Sequence, residues 1–163
     1  MRAGLVALAL TGGLLLGACG GGTEAGGHSG MNMDEDSGSA GGVGEEGQTS
    51  EASRTVKVEA LDELRFDPAS IEVEAGETVT FEVTNAGEND HEFSLGDDEF
   101  HMEHEEEMAG DDSMMMDQDN AVSLAPGETK EITWTFPGSG EVTYACHVAG
   151  HFEGGMAGVV AVN

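Results

Sequence analysis

From Thr55 onward, hydrophobic and polar residues alternate with a period of two. Val56 and Val58 stand between charged residues, then come Phe66, Ile71 and Val73, then Val79, Phe81 and Val83. That period belongs to strands with one buried face. Asp67-Pro68 and Ala75-Gly76-Glu77 interrupt it as turns do. It returns at Val122 and Leu124, continues after Ala125-Pro126-Gly127-Glu128 through Ile132, Trp134 and Phe136, and after Pro137 to Gly140 through Val142, Tyr144 and Cys146. Val159 to Val162 closes the series. Short strands joined by Gly and Pro turns predict an all-β domain, an antiparallel sandwich or barrel spanning 54–163.

The chain ahead of this domain has a different character. Residues 1–18 carry Arg2 and an apolar run from Leu5 to Leu16, too short to span a bilayer and suited to a signal peptide. The run ends in Leu16-Gly17-Ala18-Cys19, which resembles a bacterial lipobox and implies cleavage before Cys19 and lipidation of its thiol. Residues 19–53 are mostly Gly, Ser, Glu and Asp, a flexible tether with little to bury. His28, Met31 and Met33 fall within it and could catch metal, but a low-complexity spacer is the simpler reading.

Residues 97–120 form a long insert between two strand patterns. Its first half can make a short helix, with Asp97 near the N-cap, acids in the first turn and Gly110 as a stop. Phe100, His104 and Met108 would then share a stripe, with His101 beside them. Two readings stand: a secondary copper site at His101, His104 and Met108, extended by Met114, Met115 and Met116 because thioethers select Cu(I), or an apolar stripe packed on the sandwich.

Chemistry concentrates in Tyr144 to Gly158. Cys146, His151 and Met156 place a thiolate, an imidazole and a thioether at even spacing in a Gly-rich loop. A thiolate with imidazoles in a trigonal set and a weak axial thioether suits copper, whereas structural zinc sites rarely use Met. A second imidazole is needed, and His91 is the best candidate, since His91, Phe93 and Leu95 share one face of a strand. His147 has the opposite parity to Cys146 and should point away from this site. Cys19 and Cys146 are the only cysteines. A lipid anchor and a metal ligand account for both without a disulfide.

At these residues the chain resembles the cupredoxins, the plastocyanin and azurin family, whose pattern is a distant histidine followed by Cys, His and Met in one loop. The stretches FDPASIEVEAGETVTFEVTNAGENDHEF, MEHEEEM, APGETKEITWTF and ACHVAGHFEGGMAG resemble extracytoplasmic cupredoxins of bacterial copper tolerance. The resemblance implies a Greek-key fold and one type 1 copper cycling between Cu(I) and Cu(II), held by His91, Cys146, His151 and Met156. The position after the first histidine, Asn in many plastocyanin-like proteins, is Glu92 here, so hydrogen bonding to the sulfur does not carry over. It implies no enzyme: the His-Cys-His run and His-x-His pairs of multicopper oxidases are missing, and so is the second loop cysteine of a binuclear site.

Two functions follow. One is a one-electron carrier, anchored by its lipid at the outer face of the bacterial membrane, facing the periplasm or the cell surface, and serving redox partner proteins. The other is a copper-sequestering or copper-delivery protein that uses the insert. The 33 acidic residues against 5 basic ones give a formal net charge of −28. Such a field repels nucleic acid and anionic lipid and draws in cations or basic partners, and it serves equally for solubility in a saline habitat.

Overall fold

The computed structural model describes residues 43–109 and 117–163. Cys19, expected as the lipidated residue, His28, Met31 and Met33, expected in the tether, Gly110, and Met114 to Met116 lie outside the described residues. Among the described residues, ten strands form two five-stranded sheets. The first contains β1 (Glu45–Glu46), β8 (Thr129–Thr135), β5 (Thr78–Asn85), β2 (Arg54–Leu61) and β3 (Arg65–Asp67), in that order. The second runs β4 (Ser70–Val73), β10 (Ala157–Val162), β9 (Gly140–Ala145), β6 (His91–Gly96) and β7 (Ala121–Leu124). Among the described residues there is one α-helix, α1 (Asp98–Met108), and none long and apolar enough to cross a membrane.

Most pairings are antiparallel, as the alternation predicts, but β2 pairs with β5 and β4 with β10 in parallel. In both pairs the chain leaves one sheet and returns to it later, so the partners cannot be joined by a hairpin. The inward residues of the two sheets interdigitate into one core. Phe136, Phe81, Phe93, Tyr144 and Phe66 form an aromatic chain across it, with successive ring centroids 6.1, 5.7, 5.3 and 5.4 Å apart. Such pairs add about 0.5–1.5 kcal/mol each beyond the area they bury. This chain ties the strands that carry His91 and Cys146 to the opposite sheet.

Packing begins before Thr55. Glu45 and Glu46 pair with Thr135 and Trp134, the Gly47 amide donates to the Thr133 carbonyl, and Val43 packs against the core. Residues 43–53, expected as the end of the tether, therefore lie on the first sheet. Backbone pairing holds them there, which a Gly- and Glu-rich composition does not signal.

All six residues of β6 are buried. Phe93 and Leu95 enter the core, while Glu92 and Ser94 lie on the other face beneath α1. That helix starts where the sequence places its cap, with the Asp97 side chain accepting from the Phe100 amide and acids following in the first turn. Gly96 allows the close approach, since a Cβ there would overlap the Phe100 ring.

Candidate metal centre

The two residues that lead the site sit at strand ends in adjacent strands. Ser94 pairs with Ala145 and Leu95 with Tyr144, which brings the start of β6 beside the loop that follows β9. Cys146 continues the inward parity of Val142 and Tyr144 and is fully buried. Its sulfur lies 3.3 Å from His151 Nδ1 and 3.9 Å from His91 Nδ1. These three donor atoms all fall within 4.8 Å of one another. Met156 is also fully buried, and its carbonyl accepts from the Cys146 amide at 3.2 Å. The loop is closed by its own backbone, with His151 N donating to Val148 O and Met156 N to His151 O. Gly150 and Gly155 take φ of 82° and 91°, a left-handed conformation that L side chains rarely adopt.

His91 presents Nδ1 for a physical reason. His91 donates from Nε2 to Asp62 Oδ1 at 3.2 Å, which leaves the Nδ1 lone pair facing the sulfur. Asp62 is itself held by the amides of Glu88 and Asn89. The Glu88 amide is the main cause that keeps its carboxyl at about 2. His151 is partly exposed, and burial followed by the neighbouring His91 lowers its pKa, which favours the neutral, ligating form.

Burial pushes the Cys146 thiol up to about 11, although the amides of Glu92 and Val148 donate to the sulfur and pull it down. A metal must therefore displace the thiol proton to gain its strongest ligand. The Glu92 amide lies 3.3 Å from the sulfur. Hydrogen bonding to sulfur thus comes from the backbone and does not depend on the side chain at 92. One thiol, two imidazoles aimed by Nδ1 and a buried Met in a closed loop form a donor set that fits copper.

The remaining histidines gather on the opposite face of the same strands. His147 points away from the Cys146 sulfur, as its parity predicts, with Nδ1 3.1 Å from Glu92 Oε2. His104 reaches the other oxygen, donating from Nε2 to Oε1 at 2.9 Å. Glu92, His104 and His147 are all buried, and one donor atom from each falls within 4.8 Å of the others. Burial opposes the charge on Glu92, but the hydrogen bonds of His104 and His147 outweigh it and hold the carboxyl at about 2. His104 is raised, because Glu92 overcomes the burial that opposes its charge. His101 is buried beside them, and burial lowers it to about 4. Met108 is partly buried at the last residue of α1. The sequence singled out His101 and His104 in this second group; Glu92 and His147 joined through cross-strand register, and only the unusual acid after His91 marked the place.

Known proteins resemble this chain in the same region. The model of the copper binding proteins, plastocyanin/azurin family, matches residues 52–163. The copper-resistant cuproprotein CopI of Rubrivivax gelatinosus is 43% identical over 119 residues, covering 73% of this chain and 72% of its own. CopI of Pseudomonas aeruginosa is 35% identical over 148 residues, covering 73% and 81%. Among solved structures, a reduced auracyanin from the photosynthetic bacterium Roseiflexus castenholzii superposes with a TM-score of 0.58 at 27% identity, covering 69% of this chain and 98% of that one.

Proposed function

Because the chain belongs to the plastocyanin/azurin family of copper-binding proteins, we propose that it holds one type 1 copper at His91, Cys146, His151 and Met156 and works as a one-electron carrier. The observation that carries this reading is the convergence of the Cys146 sulfur with the Nδ1 atoms of His91 and His151. Copper bound there supplies one-electron Cu(I)/Cu(II) chemistry.

The protein's part is to keep the donors still. Cys146 would supply the thiolate, His91 and His151 the two imidazoles, and Met156 a thioether. The aromatic chain, Asp62 and the Glu92 amide fix these groups without the metal, so little reorganisation accompanies a change of charge. His91, Cys146 and Met156 are shut from solvent, whereas His151 is partly exposed and offers the route for electrons. The protein transforms no substrate in this reading. Its signal-like N-terminus and Cys19 would anchor it by lipid outside the cytoplasm, with the acidic field steering basic redox partners.

A second reading is favoured by a separate observation. The relatives 43% and 35% identical are copper-resistant cuproproteins, which supports a role in copper tolerance by sequestering or delivering the ion. The two differ in whether copper stays or moves.

A Cu(II) titration of the full chain, followed by visible absorption and EPR, tests the centre. An intense blue or green thiolate band that saturates and is absent from Cys146→Ser is expected. Copper bound without that band, and equally well in Cys146→Ser, would refute the centre. Exchange of Cu(I) with a chelator within minutes would favour copper handling over electron transfer.

A further inference from the structure

We propose that Glu92, His104 and His147 form a second metal site, separate from the Cys146 centre, that takes a divalent ion of the copper or zinc class. The three ligand atoms of this buried cluster lie within 4.8 Å of one another. His101 donates from Nε2 to the Thr143 carbonyl at 3.2 Å, so the Nδ1 of its neutral ring is an acceptor. His147 Nε2 lies 3.3 Å from that Nδ1 and must be the donor. The other ring nitrogen of His147, Nδ1, lies 3.1 Å from Glu92 Oε2, which also accepts from the His147 amide at 3.1 Å. Ser94 Oγ lies 3.2 Å from the same nitrogen and 3.1 Å from the Ala145 carbonyl. Glu92 and two imidazoles thus face one another in a place closed to water, where a cation held among them offsets the buried carboxylate.

The spacing accommodates a metal. Metal–nitrogen and metal–oxygen bonds of about 2.0–2.2 Å separate two ligand atoms by about 3 Å at the right angles of a square-planar Cu(II) site and by about 3.4 Å at the tetrahedral angle of zinc. The observed separations from the Glu92 oxygens are 2.9 Å to His104 Nε2 and 3.1 Å to His147 Nδ1. Two imidazoles and a carboxylate suit zinc or Cu(II), and the affinity order among divalent ions favours copper. The outer nitrogen of His147, Nε2, is supported by His101 as in ligating histidines, and Glu107 lies 3.9 Å from His104 Nδ1. Phe100 stacks on His104 at 5.2 Å, and the Phe152 ring lies 4.8 Å from His147.

Strand parity makes this site the reverse side of the first. His91 and Glu92 are consecutive, as are Cys146 and His147, so each pair sends one donor to each face. Neither site needs the other's ligands, and their failures are distinguishable.

The test is to saturate the full chain with Cu(II), or separately with Zn(II), desalt it and count the retained ions, comparing wild type with His104→Ala and with the near-isosteric Glu92→Gln. One ion per chain lost in both variants, with either metal, is expected. For copper, the lost ion should give an EPR signal with nitrogen hyperfine splitting and no thiolate band, which survives in Cys146→Ser. The thiolate band should persist in both variants, which reports that they are folded. If the variants retain as many Cu(II) and Zn(II) ions as wild type, with the same EPR signal, the cluster holds no metal and the proposal is overturned.

Discussion

Tyr144 lies two residues before Cys146 and is fully buried, with its hydroxyl donating 2.7 Å to the carbonyl of Pro68 in the β3–β4 turn. Tyr144→Phe removes that one bond and leaves the ring, with its contacts to Phe66 and Phe93, in place. A typical hydrogen bond contributes about 1 kcal/mol net, and an orphaned buried acceptor costs about 1–3 kcal/mol. Pro68 is only partly buried, so water can reach its carbonyl and the lower part of that range applies. The expected loss is about 1–1.5 kcal/mol, which for a domain near 100 residues lowers the melting temperature by roughly 5 °C. Tyr144→Ala should lose about 3–5 kcal/mol, because it also opens a cavity within the aromatic chain. Urea unfolding of the metal-free protein measures both, with an unchanged slope expected for Phe. The copper absorption band of the Phe variant should be unaltered, since neither the register of β9 nor the Cys146 loop depends on the hydroxyl. An unfolding loss for Phe as large as for Ala, or none at all, would refute this division between ring and hydroxyl.

Asp62→Asn should weaken Cu(II) binding by about tenfold or more, because the charge that fixes the Nε2–H of His91 is lost; equal affinity in a chelator competition would show that the loop alone positions His91. Glu77 accepts from Arg54 at 2.9 Å and Ser53 at 2.6 Å, with Arg54 the main cause that holds its carboxyl at about 2. Its folded pKa is depressed, so it stabilises the protein above the ordinary carboxylate pKa near 4.5, and the contribution disappears as pH falls toward 2. Glu77→Gln should therefore cost about 1 kcal/mol at pH 7 after allowance for solvent screening and should narrow to no difference near pH 2; a gap independent of pH in urea titrations would contradict it. Gly158 packs against the Tyr144 ring, where a Cβ would overlap it. Gly158→Ala should destabilise by about 1–3 kcal/mol and raise the unfolding rate, and a neutral result would mean that the β9–β10 pair shifts freely.

The arrangement around Cys146 could be read from the sequence because it depends on local rules. Parity along β9 turns Cys146 inward and His147 outward, parity along β6 groups His91 with Phe93 and Leu95, and Asp97 marks the start of α1. What escaped depends on register between distant segments. Asp62 meets His91 across 29 positions, because the β2–β3 turn reaches the loop before β6. Glu92 reads as a departure from a family pattern, yet its amide serves one face and its carboxylate the other. The parallel pairs β2–β5 and β4–β10, and the docking of residues 43–49 on the first sheet, are fixed by backbone bonds that leave no hydrophobic signature.

The two-faced use of β6 has a consequence for mutational history. In most half-buried strands, a slip by one position is punished because polar groups enter the core. Here the strand starts with two donors in succession, so a slip would offer a carboxylate to the sulfur and an imidazole to the helix, each a plausible ligand in its new place. Phe93 and Leu95 supply the discrimination instead, since only one frame seats them among the aromatic rings. Truncating either of these two apolar residues should therefore loosen the placement of both donors together with the core, at a cost of about 2–5 kcal/mol.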